Sequence, residues 1–181
     1  MPYRITRKDP SLKAAFRRIA LEQVDGAIAE LDAPEDPHEA VHQIRKHMKK
    51  LRGLIRLVRP GFAAYAEENA AIRDTARSLS GLRDTEALIE THDRLMQDAG
   101  DRRPFAPVRA HLTRRQPDDP SHLGPELEEW LRRLRVRVLD WTLDGKASKI
   151  LRGGVAKTWT RATKAYHAAH ADPSVENMHE W

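Results

Sequence analysis

The sequence predicts an all-α protein, and three observations carry that expectation. Ala, Leu, Arg and Glu dominate while aromatic residues make up only 6%, a composition that favours helix. Apolar residues recur at three- and four-residue spacing through long segments, the mark of helices with one buried face. No segment shows the sustained alternation of a half-buried strand. Hydrophobic residues at 40% suit a globular chain rather than a disordered one, and 181 residues suffice for one substantial domain or two small helical layers sharing a core.

Ser11 reads as the N-cap of a first helix, whose apolar pattern runs through Phe16, Ile19, Ala20, Val24, Ala27, Ile28 and Leu31. Ala33-Pro34-Glu35-Asp36-Pro37 ends it. A second helix is expected from near His38 to Val58, stopped by Arg59-Pro60-Gly61. A third is expected from Phe62 to about Ala99, with a bend at Gly81. Gly100 to Pro107 and Gln116 to Pro120 read as loops around a short helix at Val108 to Arg115. Glu126 to Leu143 carries Leu127, Trp130, Leu131, Leu134, Val138 and Trp141 at core spacing. After Asp144-Gly145, a last long helix is expected over Ala147 to Ala171, giving a bundle of six or seven helices.

Charged residues reach 33%, with 32 Lys+Arg against 27 Asp+Glu and a net charge of +5. That excess is too small to name a partner, so the placement of the charges decides. Cysteine is absent, which excludes disulfides and thiolate metal sites. No apolar run approaches the roughly 20 residues of a membrane helix, and Met1 to Pro10 lacks the apolar region of a signal peptide. A soluble, cytoplasmic protein is the expectation.

On a helical wheel at about 100° per residue, Ile44, Met48, Leu51, Ile55 and Val58 share one side of the second helix. His42, Arg45, Lys46, Lys49 and Arg56 share the opposite side, with Arg52 at its edge. No Asp or Glu occurs between Glu39 and Glu67. A solvated helix ordinarily mixes signs, because opposite charges four residues apart stabilise it and like charges destabilise it. An unrelieved cationic stripe therefore points to an anionic ligand. Arg73, Arg77 and Asp84 share a face of the next helix, opposite Leu79, Leu82 and Ile89, with Arg83 to the side. In the last helix Lys157, Arg161 and Lys164 align opposite Val155, Trp159, Ala162 and Tyr166. Gly153-Gly154 just upstream permits close helix packing, close ligand approach or a plain irregularity. Lys as a point charge and Arg as a planar fork both suit phosphate oxygens. A simple solvated face is the competing reading for each stripe alone.

At these residues the chain resembles the CHAD family, the conserved histidine α-helical domains. The pieces are Val41-His42-x-x-Arg45-Lys46-x-x-Lys49-Lys50-Leu51-Arg52 with Arg56 and Arg59-Pro60, then Asn69-x-x-x-Arg73, then Leu79-x-x-Leu82-Arg83-Asp84. Trp159-x-Arg161-x-x-Lys164, Asp172-Pro173 and His179-Glu180-Trp181 look like the start of the family's second histidine motif. Asp36-Pro37 before Val41-His42 and Asp172-Pro173 before Met178-His179 echo one another, as duplication or as coincidence. The resemblance implies two antiparallel four-helix bundles related by a pseudo-twofold, residues 1–100 forming the first and 101–181 beginning a second that is incomplete. It implies inorganic polyphosphate bound in a basic central channel, no catalysis and no cofactor, with polyphosphate granules as a possible destination. The residues so implicated are His42, Arg45, Lys46, Lys49, Arg52, Arg56, Arg73, Arg77, Arg83, Lys157, Arg161, Lys164 and His179. Because the second basic block is not reached by Trp181, exposed apolar surface and a homodimer or domain-swapped dimer are expected.

The same residues bear competing readings. His38/His42 and His167/His170 have metal-ligand spacing, but the cations around His42 repel a divalent ion. Nucleic acid shares the phosphate chemistry, yet the stripes lack interleaved aromatics, so specific nucleic-acid binding is not expected. No Gly-rich phosphate loop and no nucleophile–base set appears, and Glu126, Glu128 and Glu129 read as solvated or paired with neighbouring arginines. A helical scaffold that binds acidic protein helices is the remaining alternative.

Overall fold

The computed structural model describes residues 3–32, 37–97, 102–114 and 125–180, side chains of 37, 38 and 80–87 excepted. Among these residues there are eight α-helices and no strand. They are α1 (Leu12–Asp32), α2 (Pro37–Val58), α3 (Tyr65–Ser78), α4 (Ser80–Gln97), α5 (Ala106–Arg114), α6 (Pro125–Asp140), α7 (Ala147–Ala171) and α8 (Val175–Glu180). Single 3-10 turns at Arg59–Gly61 and Arg103–Phe105 follow α2 and precede α5. The loops expected around residues 33–36 and 116–120 lie outside the described residues.

Ser11 caps α1 as its sequence position suggests, its Oγ accepting a hydrogen bond from the Ala14 amide at 3.1 Å. The segment before it is tied down at two points. The Tyr3 hydroxyl donates to the Lys50 carbonyl at 2.6 Å, and Asp9 accepts from Thr6 and from Arg18. The single helix expected from Phe62 to Ala99 is two helices that part at Leu79, not at Gly81. The Ser78 hydroxyl donates to the Thr75 carbonyl just before the break, the local competition with helical backbone that such residues offer. Leu79 itself is buried and fixes the corner. That division, with the short α8, accounts for eight helices where six or seven were expected.

The core gathers the expected faces. Ile44, Met48, Leu51, Ile55 and Val58 of α2 are all buried, with Phe16, Ile19, Ala20, Val24 and Ala27 of α1. Leu127, Leu131, Leu134 and Val138 of α6 join them, and Trp130 is partly buried at the margin. Phe16, Phe62 and Trp141 form an aromatic cluster with ring centroids 4.9–5.4 Å apart. Buried Glu68 locks α3 to this cluster: its carboxylate accepts from Arg137 at 2.9 and 3.2 Å and from Trp141 Nε1 at 3.3 Å. Outside the core, Glu128 and Glu129 pair with Arg132 and Arg133 one helical turn on, as expected for a solvated face.

The contact that positions the basic face is between α2 and α7. Gly154 is buried against the carbonyl of Leu57, so close that a Cβ would lie 2.6 Å from the Leu57 carbonyl carbon and nearer still to its oxygen. Of the three roles open to Gly153-Gly154, close helix packing is the one realised at Gly154. Gly61, in the turn after α2, abuts Ile150 and accepts the Asp144 amide at 2.8 Å, which fixes the start of α7. Beyond this crossing α7 runs with little cover. Val155 is 56% and Trp159 74% exposed, and Ala162 and Tyr166 are also exposed. The apolar stripe of the last helix therefore lies on the surface, because α7 meets α2 through its glycines rather than through that stripe.

Candidate basic cleft

Three helices bring cations together. Arg45, Lys49, Arg52 and Arg56 come from α2, Arg73 and Arg77 from α3, and Arg161 from α7; together they line a cleft of about 310 Å³. α2 and α3 each contribute residues three or four apart, so each of these two rows stands on one face, and α7 adds Arg161 alone. Ala76 lines the cleft between Arg73 and Arg77 in sequence, and Glu180 of α8 is the one carboxylate among the described lining residues.

The cleft is underneutralised. Arg52 donates to the neutral Asn69 side chain at 3.2 Å, and Arg73 is held by its neighbour Asp74 at 2.8 Å. Arg161 meets Glu180 at 3.3 Å with both side chains largely exposed. Lys49, Arg56 and Arg77 form no ion pair among the described residues. Burial, followed by the fields of Arg56 and Arg73, pushes the Arg52 pKa down, although a guanidinium stays charged at any ordinary pH. Hydrogen bonding from Arg73, aided by the charges of Arg73, Arg77 and Arg52, holds the Asp74 carboxyl below its usual range. In both, the charges of neighbouring arginines add to a larger effect, burial for Arg52 and the Arg73 hydrogen bond for Asp74.

A second cleft of about 600 Å³ adjoins the first, lined by Arg59, Tyr65, Lys157, Thr160, Arg161 and Lys164. Arg161 belongs to both. Arg59 Nε is buried without a hydrogen-bond partner among the described residues, and the Thr160 hydroxyl is engaged by the Ala156 carbonyl at 3.0 Å.

Of the residues singled out from the sequence, the first cleft unites Arg45, Lys49, Arg52, Arg56, Arg73, Arg77 and Arg161. The second takes Lys157 and Lys164, together with Arg161. Half-buried His42 and exposed Lys46 lie on α2 outside both linings, and His179 is exposed on α8 beside Glu180. The side chains of Arg83 and Asp84 are outside the described residues. Arg59 was missed as a site residue, since next to Pro60-Gly61 it reads as part of a helix stop. Its signals were its spacing of three from Arg56 and its place beside Pro60 among the residues that carry the family resemblance. Glu180 was missed because nothing local foretells that α8 turns back to the cleft. No group of three or more His, Asp or Glu residues suited to a metal ion occurs among the described residues. No helix among them is long and apolar enough to cross a membrane.

The family model for the CHAD domain matches residues 12–181. No curated protein and no solved structure matches the chain. With essentially its whole length matched, the chain belongs to the CHAD domain family.

Proposed function

We propose that the protein is a binding module for inorganic polyphosphate, held in the cleft between α2, α3 and α7, without catalytic chemistry of its own. The observation that carries this reading is the convergence, among the described residues, of seven cations on one cleft with a single carboxylate among them. Mutual repulsion of like charges is offset when a polyanion enters and releases its counterions. A linear, flexible chain of phosphates fits a cleft of about 310 Å³. A nucleic-acid duplex presents its phosphates on a wide rigid cylinder and touches only the rim. Among the described residues Tyr65 is the sole aromatic lining either cleft, a poor platform for stacking successive bases. Against catalysis, the one aliphatic hydroxyl among the described lining residues, that of Thr160, is tied to backbone. Such binding would recruit the protein to polyphosphate granules in the cell.

Calorimetry with long-chain polyphosphate near physiological salt, with duplex DNA in parallel, tests the reading. Replacing Arg45, Lys49 and Arg56 together by Ala should abolish polyphosphate binding while leaving the helical signal and melting temperature intact. For wild type the affinity should exceed that for DNA. Equal affinity for both, or a triple variant that binds as wild type does, would overturn the assignment.

A second reading, self-association, is favoured by the exposed Val155, Trp159 and Tyr166 stripe of α7. That stripe faces away from Lys157, Arg161 and Lys164, so a second copy docked on it leaves both clefts open. Sedimentation should show a dimer that Trp159→Ser dissociates, and a wild-type monomer at micromolar concentration counts against it.

A further inference from the structure

The two clefts share a residue, and that has a consequence for which polyphosphates bind. Arg56 lines the first cleft and Arg59, three residues later at the end of α2, lines the second. On α7, Arg161 lines both, while Lys157 and Lys164, one turn to either side, line only the second. The two rows flank the same helix crossing, the one closed by Gly154 on Leu57. Among the described lining residues, positive charge therefore continues from one cleft to the next, offset at the junction by Glu180 alone, which meets Arg161.

A guanidinium has five N–H donors in a planar fork, enough to serve oxygens of neighbouring phosphates at once. We infer that Arg161 joins two anion subsites into one track, so that the protein discriminates polyphosphates by length: short chains occupy the first cleft, and long chains span both. The inference rests on the polyphosphate reading above. Once a long chain is seated in the first cleft, its next segment meets the second as an intramolecular event at high effective concentration. Six of the seven cations of the first cleft lie outside the second, against three of the four in the second. A chain too short to span accordingly prefers the first. The Arg161–Glu180 pair is exposed, and pairs of that kind are weak, so an incoming chain displaces Glu180 readily.

The test uses tripolyphosphate and long-chain polyphosphate with wild type and with the double variant Lys157→Ala/Lys164→Ala, both lysines being exposed and outside the core. Long-chain affinity of the double variant should fall about tenfold or more, while its tripolyphosphate affinity stays within about twofold of wild type. The long-chain salt slope should fall by about 1.4, two contacts at about 0.7 each on a single-stranded polyanion. Melting curves of the free proteins should superimpose. A double variant that weakens both ligands by the same factor would mean that the second cleft supplies only a general field, and the bridging idea would fail. An unchanged long-chain affinity would overturn it as well. A wild type that binds neither ligand would instead remove the polyphosphate reading itself, a result distinct from either of these.

Discussion

Gly154→Ala isolates the contact on which the functional face depends. In a solvated helix this substitution stabilises by about 1 kcal/mol, because alanine loses less backbone freedom than glycine. Here the added Cβ would meet the Leu57 carbonyl carbon at 2.6 Å. Carbon atoms pack at about 3.5–4.0 Å, so relief requires α7 to withdraw from α2 by about 1 Å or more. The obstructing group is backbone and has no rotamer to adopt, which places the overpacking cost toward the upper end of its range, about 3 kcal/mol. Subtracting the helix-propensity gain leaves a net loss of about 2 kcal/mol. For a chain of this size that lowers the melting temperature by about 4–8 °C. Gly153→Ala is the internal control, since its Cβ would meet only the Pro60 side chain at 3.1 Å; it should be close to neutral. Differential scanning calorimetry of the two variants gives the comparison. Withdrawal of α7 also carries Arg161 away from Arg56, so long-chain polyphosphate should bind Gly154→Ala more weakly than Gly153→Ala. A Gly154→Ala protein that melts at or above the wild-type temperature would refute the close approach of α7 to Leu57.

Three further outcomes follow from the same geometry. Glu68→Ala removes the acceptor shared by Arg137 and the buried Trp141 indole and should cost about 1–3 kcal/mol in urea unfolding; a variant as stable as wild type would show that water replaces the carboxylate without loss. Glu180→Gln removes the one carboxylate lining the basic clefts, and because its pair with Arg161 is exposed the gain in polyphosphate affinity should be modest, up to about fivefold; weaker binding by this variant would contradict the placement of α8. His47 packs on Gly26, donates from Nδ1 to Gln23 Oε1 at 3.1 Å, and has its pKa lowered by burial first and then by Lys50 and Lys46, with Glu30 acting in the opposite sense. The unfolded chain therefore binds the proton more tightly than the native protein. The stability from its neutral form is complete above the unfolded value of about 6.5 and is lost as pH falls through the lowered native value. Melting temperatures from pH 7 down to pH 5 should fall less for His47→Gln than for wild type, and parallel curves would rule out this linkage.

Much of this protein is written locally. The buried face of α2 follows from apolar residues three and four apart, and the opposite basic face from the same period, so five core positions and four cleft cations were legible before any fold was known. The bounds of α7 and the cap at Ser11 were equally legible, because breakers and capping side chains act within a few residues. What the sequence alone could not decide is which neighbour each face meets. The apolar stripe of α7 reads like a core face, yet Trp159 is 74% exposed, because the helix seats itself on Leu57 through Gly154. Arg59 reads as punctuation and Glu180 as part of a histidine motif, yet each stands in a basic cleft. Their positions depend on how α2, α7 and α8 cross, and crossings are settled by contacts between residues roughly a hundred positions apart, which no local period records.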